Sequence, residues 1–273
     1  MFKLTKFRFL FISFIFIALN TIGQTYKFKN YDVQNGICDP YVYTINQDNQ
    51  GFIWVGTGEG LCRFDGFNFV HYSADSLKSP LVTASYLDGS NRLWFGYNDG
   101  TLAYIKDGNF NHFKSLSPKN KSKVTAITSA NKGVMVATQN DGIFNVITKD
   151  KVVEHKEKLN SLFLTSLARL NGNVYLAGHT DGMSVVTFNP SGATIEKIST
   201  VEKLQYISIK CIFPSKTKKE NFWVGTEDQG LYKLTVKNTG NDLLYNIEKY
   251  CPRPALAMPL LKGCLQTAKK MYG

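Results

Sequence analysis

A short motif returns five times along this 273-residue chain, and that recurrence limits the fold more tightly than any other feature. "GFIWVGTGEGLCRFDG" (51–66) is echoed by "NRLWFGYNDGTLAYIKDG" (91–108), "KGVMVATQNDGIFNVITKD" (132–150), "GNVYLAGHTDGMSVVTFN" (172–189) and "ENFWVGTEDQGLYKLTV" (220–236). The glycines that close the motif's turn, Gly60, Gly100, Gly142, Gly182 and Gly230, lie 40, 42, 40 and 48 residues apart. A unit of this length cannot bury its apolar faces alone, so copies must stack on one another.

Each copy divides into four short apolar runs. The first copy shows the order: "YVYTINQD" (41–48), "FIWV", "LCRFD" and "FNFVHY" (67–72). Helical periodicity is absent, and four short strands per unit of about 42 residues predict an all-β fold, a β-propeller of four-stranded antiparallel blades with about five blades present. Runs such as "FIWV" and "RLWF" are apolar at consecutive positions because a blade between two neighbours buries both faces. Trp54, Trp94 and Trp223 are then expected as wedges between blades, with Met135 and Tyr175 in their place in the third and fourth copies. Asp65-Gly66 and Asp107-Gly108 suit tight hairpins between third and fourth strands, and Gly60 and its equivalents supply φ > 0 in the preceding turn.

The stretch "YDVQNGICDPYVYTINQDNQGFIWVGTGEGLCRFDGFNFVHY" (31–72) resembles the two-component regulator propeller repeat, found in the periplasmic sensor region of hybrid two-component system histidine kinases. The matching positions are Asn35, Gly36, Gln47, Asp48, Gly51, Trp54, Gly56, Thr57, Gly60, Leu61 and Asp65. The second copy keeps Trp94, Gly96 and Gly100, and the fifth keeps Trp223, Gly225, Thr226 and Gly230; the third and fourth have lost the Trp. The resemblance implies a ligand-sensing propeller, with kinase activity in a C-terminal part that this chain does not carry. It also implies one or two seven-bladed propellers in the parent, possession of a membrane helix there, and a homodimer. Five blades of seven would form an incomplete, open arc with exposed blade faces. "YKFKNYDV" (26–33) reads as an outer strand without a blade of its own.

Both ends of the sequence depart from the repeat. Residues 1–23 carry Lys3, Lys6 and Arg8 followed by an apolar run of about eleven residues from Phe9 to Leu19, the length of a signal-peptide core and short of the roughly twenty needed to span a bilayer. Cleavage before Gln24 places the blades, 24–250, in the periplasm or elsewhere outside the cytoplasm; an uncleaved anchor is the alternative. Residues 251–273 hold three of the eight prolines and no acid, and read as a truncated or frameshifted continuation of a longer gene.

Without the leader cations the formal charge of +11 falls to +8, carried by scattered lysines. In an exported chain these are solvated loop residues, which argues against nucleic acid as a partner and leaves the membrane to the leader or the missing C-terminal part. The five cysteines are odd in number and lack a C-x-x-C pair, so neither zinc nor a disulfide framework is indicated. An oxidising compartment allows one bridge, such as Cys38 to Cys62, with most thiols left free.

Catalytic patterns are missing. "GTGEGLCRF" lacks the Lys-Ser/Thr of a phosphate-binding loop and runs into a strand. No nucleophile elbow, paired catalytic carboxylates or cofactor motif occurs. His71, His112 and His155 fall in outer strands and read as surface residues. What remains is binding of an oligosaccharide or other extracellular ligand at the loops around the propeller axis. The candidates there are Tyr41, Tyr43 and Tyr86 for stacking and Glu59, Asp99, Asp141, His179, Asp181 and Asp228 for polar contacts. A stand-alone exported adhesion module is the alternative, and a secreted lyase or glycosidase a third.

Overall fold

In this computed structural model the described residues are 29–72, 81–113, 116, 121–148, 151–155, 163–189, 194–238 and 243–250. The leader and the tail after residue 250 lie outside them. Five antiparallel sheets follow one another, each with its four strands in sequence order. Blade 1 contains β1 (Val42–Gln47), β2 (Ile53–Thr57), β3 (Gly60–Phe64) and β4 (Phe69–Tyr72). Blade 2 contains β5 (Val82–Leu87), β6 (Leu93–Tyr97), β7 (Leu102–Lys106) and β8 (Asn109–His112). Blade 3 is β9 (Val124–Ser129), β10 (Val134–Thr138), β11 (Gly142–Thr148) and β12 (Lys151–His155). Blade 4 is β13 (Leu164–Asn171), β14 (Val174–His179), β15 (Gly182–Phe188) and β16 (Ile195–Thr200). Blade 5 is β17 (Ile209–Pro214), β18 (Asn221–Thr226), β19 (Leu231–Asn238) and β20 (Leu243–Lys249).

The innermost strands β1, β5, β9, β13 and β17 pack side by side in that order. Among the described residues no comparable packing joins β17 back to β1. The array is an arc of propeller blades with two ends.

The wedge residues work as expected in blades 1 and 2, for a definite chemical reason. Asp48 ends β1 and accepts the backbone N–H groups of Gln50 and Phe52 (both 3.0 Å) through one oxygen, while the other takes the Trp54 indole N–H at 2.7 Å. Asp88 does the same for Ser90, Arg92 and Trp94, the indole at 2.8 Å. One carboxylate thus closes the turn between first and second strands and orients the ring that reaches the next blade. Trp54 lies against Phe95 and Phe110 of blade 2, and Trp94 joins a cluster with Val124, Val134 and Phe144 of blade 3. In blades 3 and 4 the Asp and the Trp disappear together: Ala130 and Leu170 stand at the Asp place, Met135 and Leu176 at the Trp place.

Leu176 corrects the expectation for Tyr175. Leu176 pairs with Ala168 and faces blade 5, whereas Tyr175 points back into the cluster shared with Met135 of blade 3. A shift of one residue along a strand exchanges its faces, and the tyrosine, as the largest nearby aromatic, invites that error. His155 is also corrected: it is buried, with its ring edge-on to Phe188 at 4.9 Å, rather than a surface residue.

Blade spacing is set by a knob and a hole. Val82, Val124, Leu164 and Ile209, each opening an inner strand, are at most 1% exposed. Three of them sit against a glycine of the preceding blade: a Cβ on Gly56 would lie 2.8 Å from Val82, one on Gly96 2.3 Å from Val124 and one on Gly178 2.6 Å from Ile209. The motif's middle glycine is therefore a requirement of close approach.

Of the outer strand expected over 26–33, residues 26–28 lie outside the described residues and 29–33 form no strand. The described segment ahead of blade 1, from residue 29, forms a 3-10 turn at Val33–Asn35 held by a reciprocal Asp32–Asn35 capping box. It folds over the outward face of blade 1, with Tyr31 edge-on to Phe64 and Phe69 and Ile37 buried with Val55 and Cys62. A disulfide between Cys38 and Cys62 fastens it, the bridge that an oxidising compartment permits.

Candidate binding site at the axial mouth

The start of every inner strand pairs with the end of its neighbour: Val42 with Thr57, Val82 with Tyr97, Val124 with Thr138, Leu164 with His179 and Ile209 with Thr226. The starts of all five inner strands and all five turns between second and third strands therefore lie on one face. Backbone bonds tie them together, from Asn98 N–H to Leu81, Gln139 to Lys123, and Glu227 to Ser208. The positive φ of Gly60, Gly100, Gly142, Gly182 and Gly230 lets each turn reverse directly.

In each inner strand the pairing skips one residue just inside this face: Tyr43, Thr83, Thr125, Thr165 and Lys210. Such a bulge turns its side chain out of the ladder. In the interior blades the bulged threonine is tied into the architecture. Thr83 Oγ1 donates to Val124's carbonyl (2.6 Å), Thr165 Oγ1 to Ile209's (2.6 Å) and Thr125 Oγ1 to Ala137's (3.2 Å). The terminal blades differ. Lys210 pairs with Glu227 at 2.8 Å, and Tyr43 is 44% exposed with the Lys123 ammonium of blade 3 at 5.7 Å from its ring centre. That cation–π contact bridges two non-adjacent blades at the mouth.

Two more tyrosines share this rim. Tyr41 is 69% exposed, its N–H held 2.7 Å from Asp39, whose carboxylate faces Gly58 of the neighbouring turn. Tyr206 is 84% exposed and adopts φ +64°, an uncommon conformation for a bulky residue, while its N–H donates to Asp181's carbonyl. Tyr206 was not singled out in the sequence, although a signal exists: the 48-residue spacing before Gly230 exceeds the others, and the surplus holds the 3-10 turn Glu202–Leu204 and this tyrosine.

The structure brings eight of the nine sequence candidates to this face and separates one. Glu59, Asp99, Asp141, Asp181 and Asp228 all lie in the turns between second and third strands. Asp99 caps its own turn through Thr101 N–H (3.0 Å) and Oγ1 (2.6 Å), and Asp141 is buried, so these two serve the scaffold first. The Lys210 ammonium and the Ser208 hydroxyl, both hydrogen-bonded to Glu227, hold that carboxyl below its ordinary value. The mouth of this basic protein is thus rimmed with acids, which disfavours phosphate backbones there. Tyr86 belongs elsewhere: it lies opposite Trp94 toward the other end of β5 and packs into the blade 2–blade 3 core.

His179 holds the position of Thr57, Thr138 and Thr226, whose hydroxyls donate to the carbonyls of Gly60, Gly142 and Gly230 at 2.7 to 3.0 Å. Its Nδ1 lies 2.7 Å from Asp181 and its Nε2 3.0 Å from Ser184 Oγ. These are the residue types and order of contacts of a hydrolase triad, but the exposure is reversed. Asp181 is the solvated end and Ser184 is buried in β15, so the hydroxyl cannot meet a substrate. The trio props the turn. A cleft of about 540 Å³ around Arg92, Tyr104 and His112 lies on the outer-strand side, away from these loops.

The fold class defined by this geometry is a β-propeller, and the repeat within it is recognisable. Residues 36–59 match the family model described as two component regulator propeller. Over 60 residues it is 38% identical to histidine kinase P4 of Formosa agariphila, a match covering 22% of this chain and 4% of the kinase. Among solved structures it is similar to the extracellular domain of a hybrid two component system from B. thetaiotaomicron, with TM-score 0.59 and 21% identity over 79% of this chain and 31% of that one. The virginiamycin B lyase of Staphylococcus aureus shares the fold at TM-score 0.63 and 14% identity, over 85% of this chain and 77% of the lyase. The chain thus spans a small share of the signalling relatives it matches. Among the described residues no helix is long and apolar enough to cross a membrane.

Proposed function

We propose that this chain is the periplasmic, ligand-sensing propeller region of a hybrid two-component signalling protein and that an oligosaccharide docks at the axial mouth. The repeat family and the likeness to extracellular domains of such systems support the signalling assignment. One observation carries the site: Tyr41, Tyr43 and Tyr206 stand exposed on a single rim, with Lys123 of another blade over Tyr43. Phenol rings present a flat apolar face with a polar tip, which suits the C–H face and hydroxyls of a sugar. Glu59, Asp181 and Asp228 supply acceptors for those hydroxyls. The reading is one of binding: the Ser184 hydroxyl beside His179 is buried and does not face the mouth as a nucleophile. Membrane crossing, homodimerisation and kinase chemistry belong to the full-length parent, which reads the ligand through the geometry of the blades.

Calorimetric titration of the chain with neutral and uronic-acid oligosaccharides tests this. A binder is expected whose affinity falls at least tenfold in Tyr41→Ala/Tyr43→Ala, the loss typical of removing aromatic anchors. A panel without any binder, or a binder indifferent to both tyrosines, overturns the reading.

A further inference from the structure

Cys38, Cys62 and His71 each bring a ligand atom within 4.8 Å of the others. Two are placed by the sheet and one by the segment over it: Cys62 and His71 are directly paired across β3 and β4, and Cys38 arrives on the segment that covers blade 1. His71 Nε2 lies 2.8 Å from Gly36's carbonyl. As an N–H it donates there, which leaves the imidazole's lone pair at Nδ1. A backbone carbonyl holding the far nitrogen is the usual support of a metal-binding histidine. The Cys38 N–H donates to Cys62 Sγ at 2.8 Å, a contact that stabilises negative charge on sulfur. Cys62 is fully buried while His71 is exposed, so solvent reaches the cluster from the imidazole side.

We propose that this cluster has two chemical states: a disulfide when oxidised and, once reduced, a zinc-class Cys2His site with its fourth position open to water. The donor set is two soft thiolates and one imidazole, which suits zinc and disfavours magnesium or calcium. The exchange balances. A dithiol reductant delivers two electrons and two protons to the Cys38–Cys62 bond and becomes a disulfide; the divalent ion then binds both sulfurs as their two protons leave. The metal takes over the bridge's task of holding the covering segment on blade 1, so the cap survives reduction wherever the ion is present.

Cobalt(II) is the spectroscopic probe. The full chain carrying Cys211→Ser, Cys251→Ser and Cys264→Ser removes competing thiols; it is reduced with a phosphine under nitrogen and titrated. One equivalent of cobalt is expected to give sulfur-to-metal charge-transfer absorption and the intense red d–d bands of a tetrahedral ion, both displaced by zinc. The oxidised chain should give neither, and His71→Ala, at an exposed outer-strand position, should bind at least tenfold more weakly. Absence of the bands in the reduced chain, or bands unchanged in His71→Ala, overturns the proposal. So does loss of the sheet's circular dichroism on reduction that zinc fails to restore.

Discussion

The two end blades carry the same motif and meet their surroundings differently. Blade 1 has Trp54 buried against blade 2 and its opposite face covered by Tyr31, Ile37 and Cys38. Blade 5 has one covered face, against blade 4, and one bearing Phe213, Leu231 and Trp223, all partly exposed, with Tyr250 edge-on to the indole at 5.0 Å. Trp223 also lacks the aspartate that orients the others, since Ser215 stands where Asp48 and Asp88 do. A wedge residue is therefore a property of the interface it enters. The motif specifies the residue, but only a following blade completes its burial.

The hardest test of that statement is truncation of two wedges. Trp94→Ala should cost about 3–5 kcal/mol, because a fully buried indole leaves a cavity among Tyr104, Phe113 and the blade 3 residues. Trp223→Ala should cost about 1 kcal/mol or less in the same urea titration. Equal losses would mean that the end blade is as well packed as the interior.

Next in size is the cap. Cys38→Ser removes a bridge that closes a loop with 24 residues of sequence separation, and the expected loss is about 2–4 kcal/mol in the oxidised chain. Faster proteolysis of the segment 29–41 should accompany it. If stability is unchanged, the covering segment holds by Tyr31 and Ile37 alone, and the contrast between the two ends weakens.

Much of this was legible in the sequence, and the failures are instructive. Blade number, strand order, the indole wedges and the turn glycines follow from spacing, because each depends on contacts inside one repeat or between adjacent ones. Tyr175 was misplaced because alternation in a strand buried on both faces leaves no polar residue to mark the phase. The pairing of Cys62 with His71 was available by counting outward from the hairpin at Asp65-Gly66-Phe67-Asn68, which sets 62 opposite 71. The arrival of Cys38 beside them was not, since it depends on a segment folding back without strand periodicity. At the mouth the acidic turns were readable from the repeat, whereas the exposure of Tyr206 and the burial of Tyr86 depend on backbone direction at single residues.

A smaller effect probes what holds a wedge in place. Burial raises Asp88's pKa, but hydrogen bonds from Trp94 and Arg92 outweigh it and hold the carboxyl below its ordinary 3.8. A folded-state pKa below the unfolded one adds stability that is fully present above pH 3.8 and is lost as pH falls through the folded value. Asp88→Asn should cost about 1–3 kcal/mol at neutral pH. Its stability should also decline less steeply than that of the parent below about pH 4. An acid limb identical in both would assign the stabilisation to turn geometry rather than charge.

The smallest effect is expected at Val42, from one substitution made at two ends of one relationship. Val82 sits in the hole left by Gly56, and Val82→Ala should cost about 1–3 kcal/mol for two buried methyl groups and the void behind them. Val42 holds the same place in blade 1, yet it is 39% exposed and, among the described residues, sits against no preceding blade. Val42→Ala should therefore change stability by no more than about 0.5 kcal/mol. The pair separates two reasons for a valine at this position. If strand propensity were the cause, both sites would respond alike; if the knob exists for its neighbour, only Val82 responds. A loss at Val42 approaching that at Val82 would mean that in solution something fills the space beside blade 1, and a concentration dependence of that loss would identify it as a second copy of the chain.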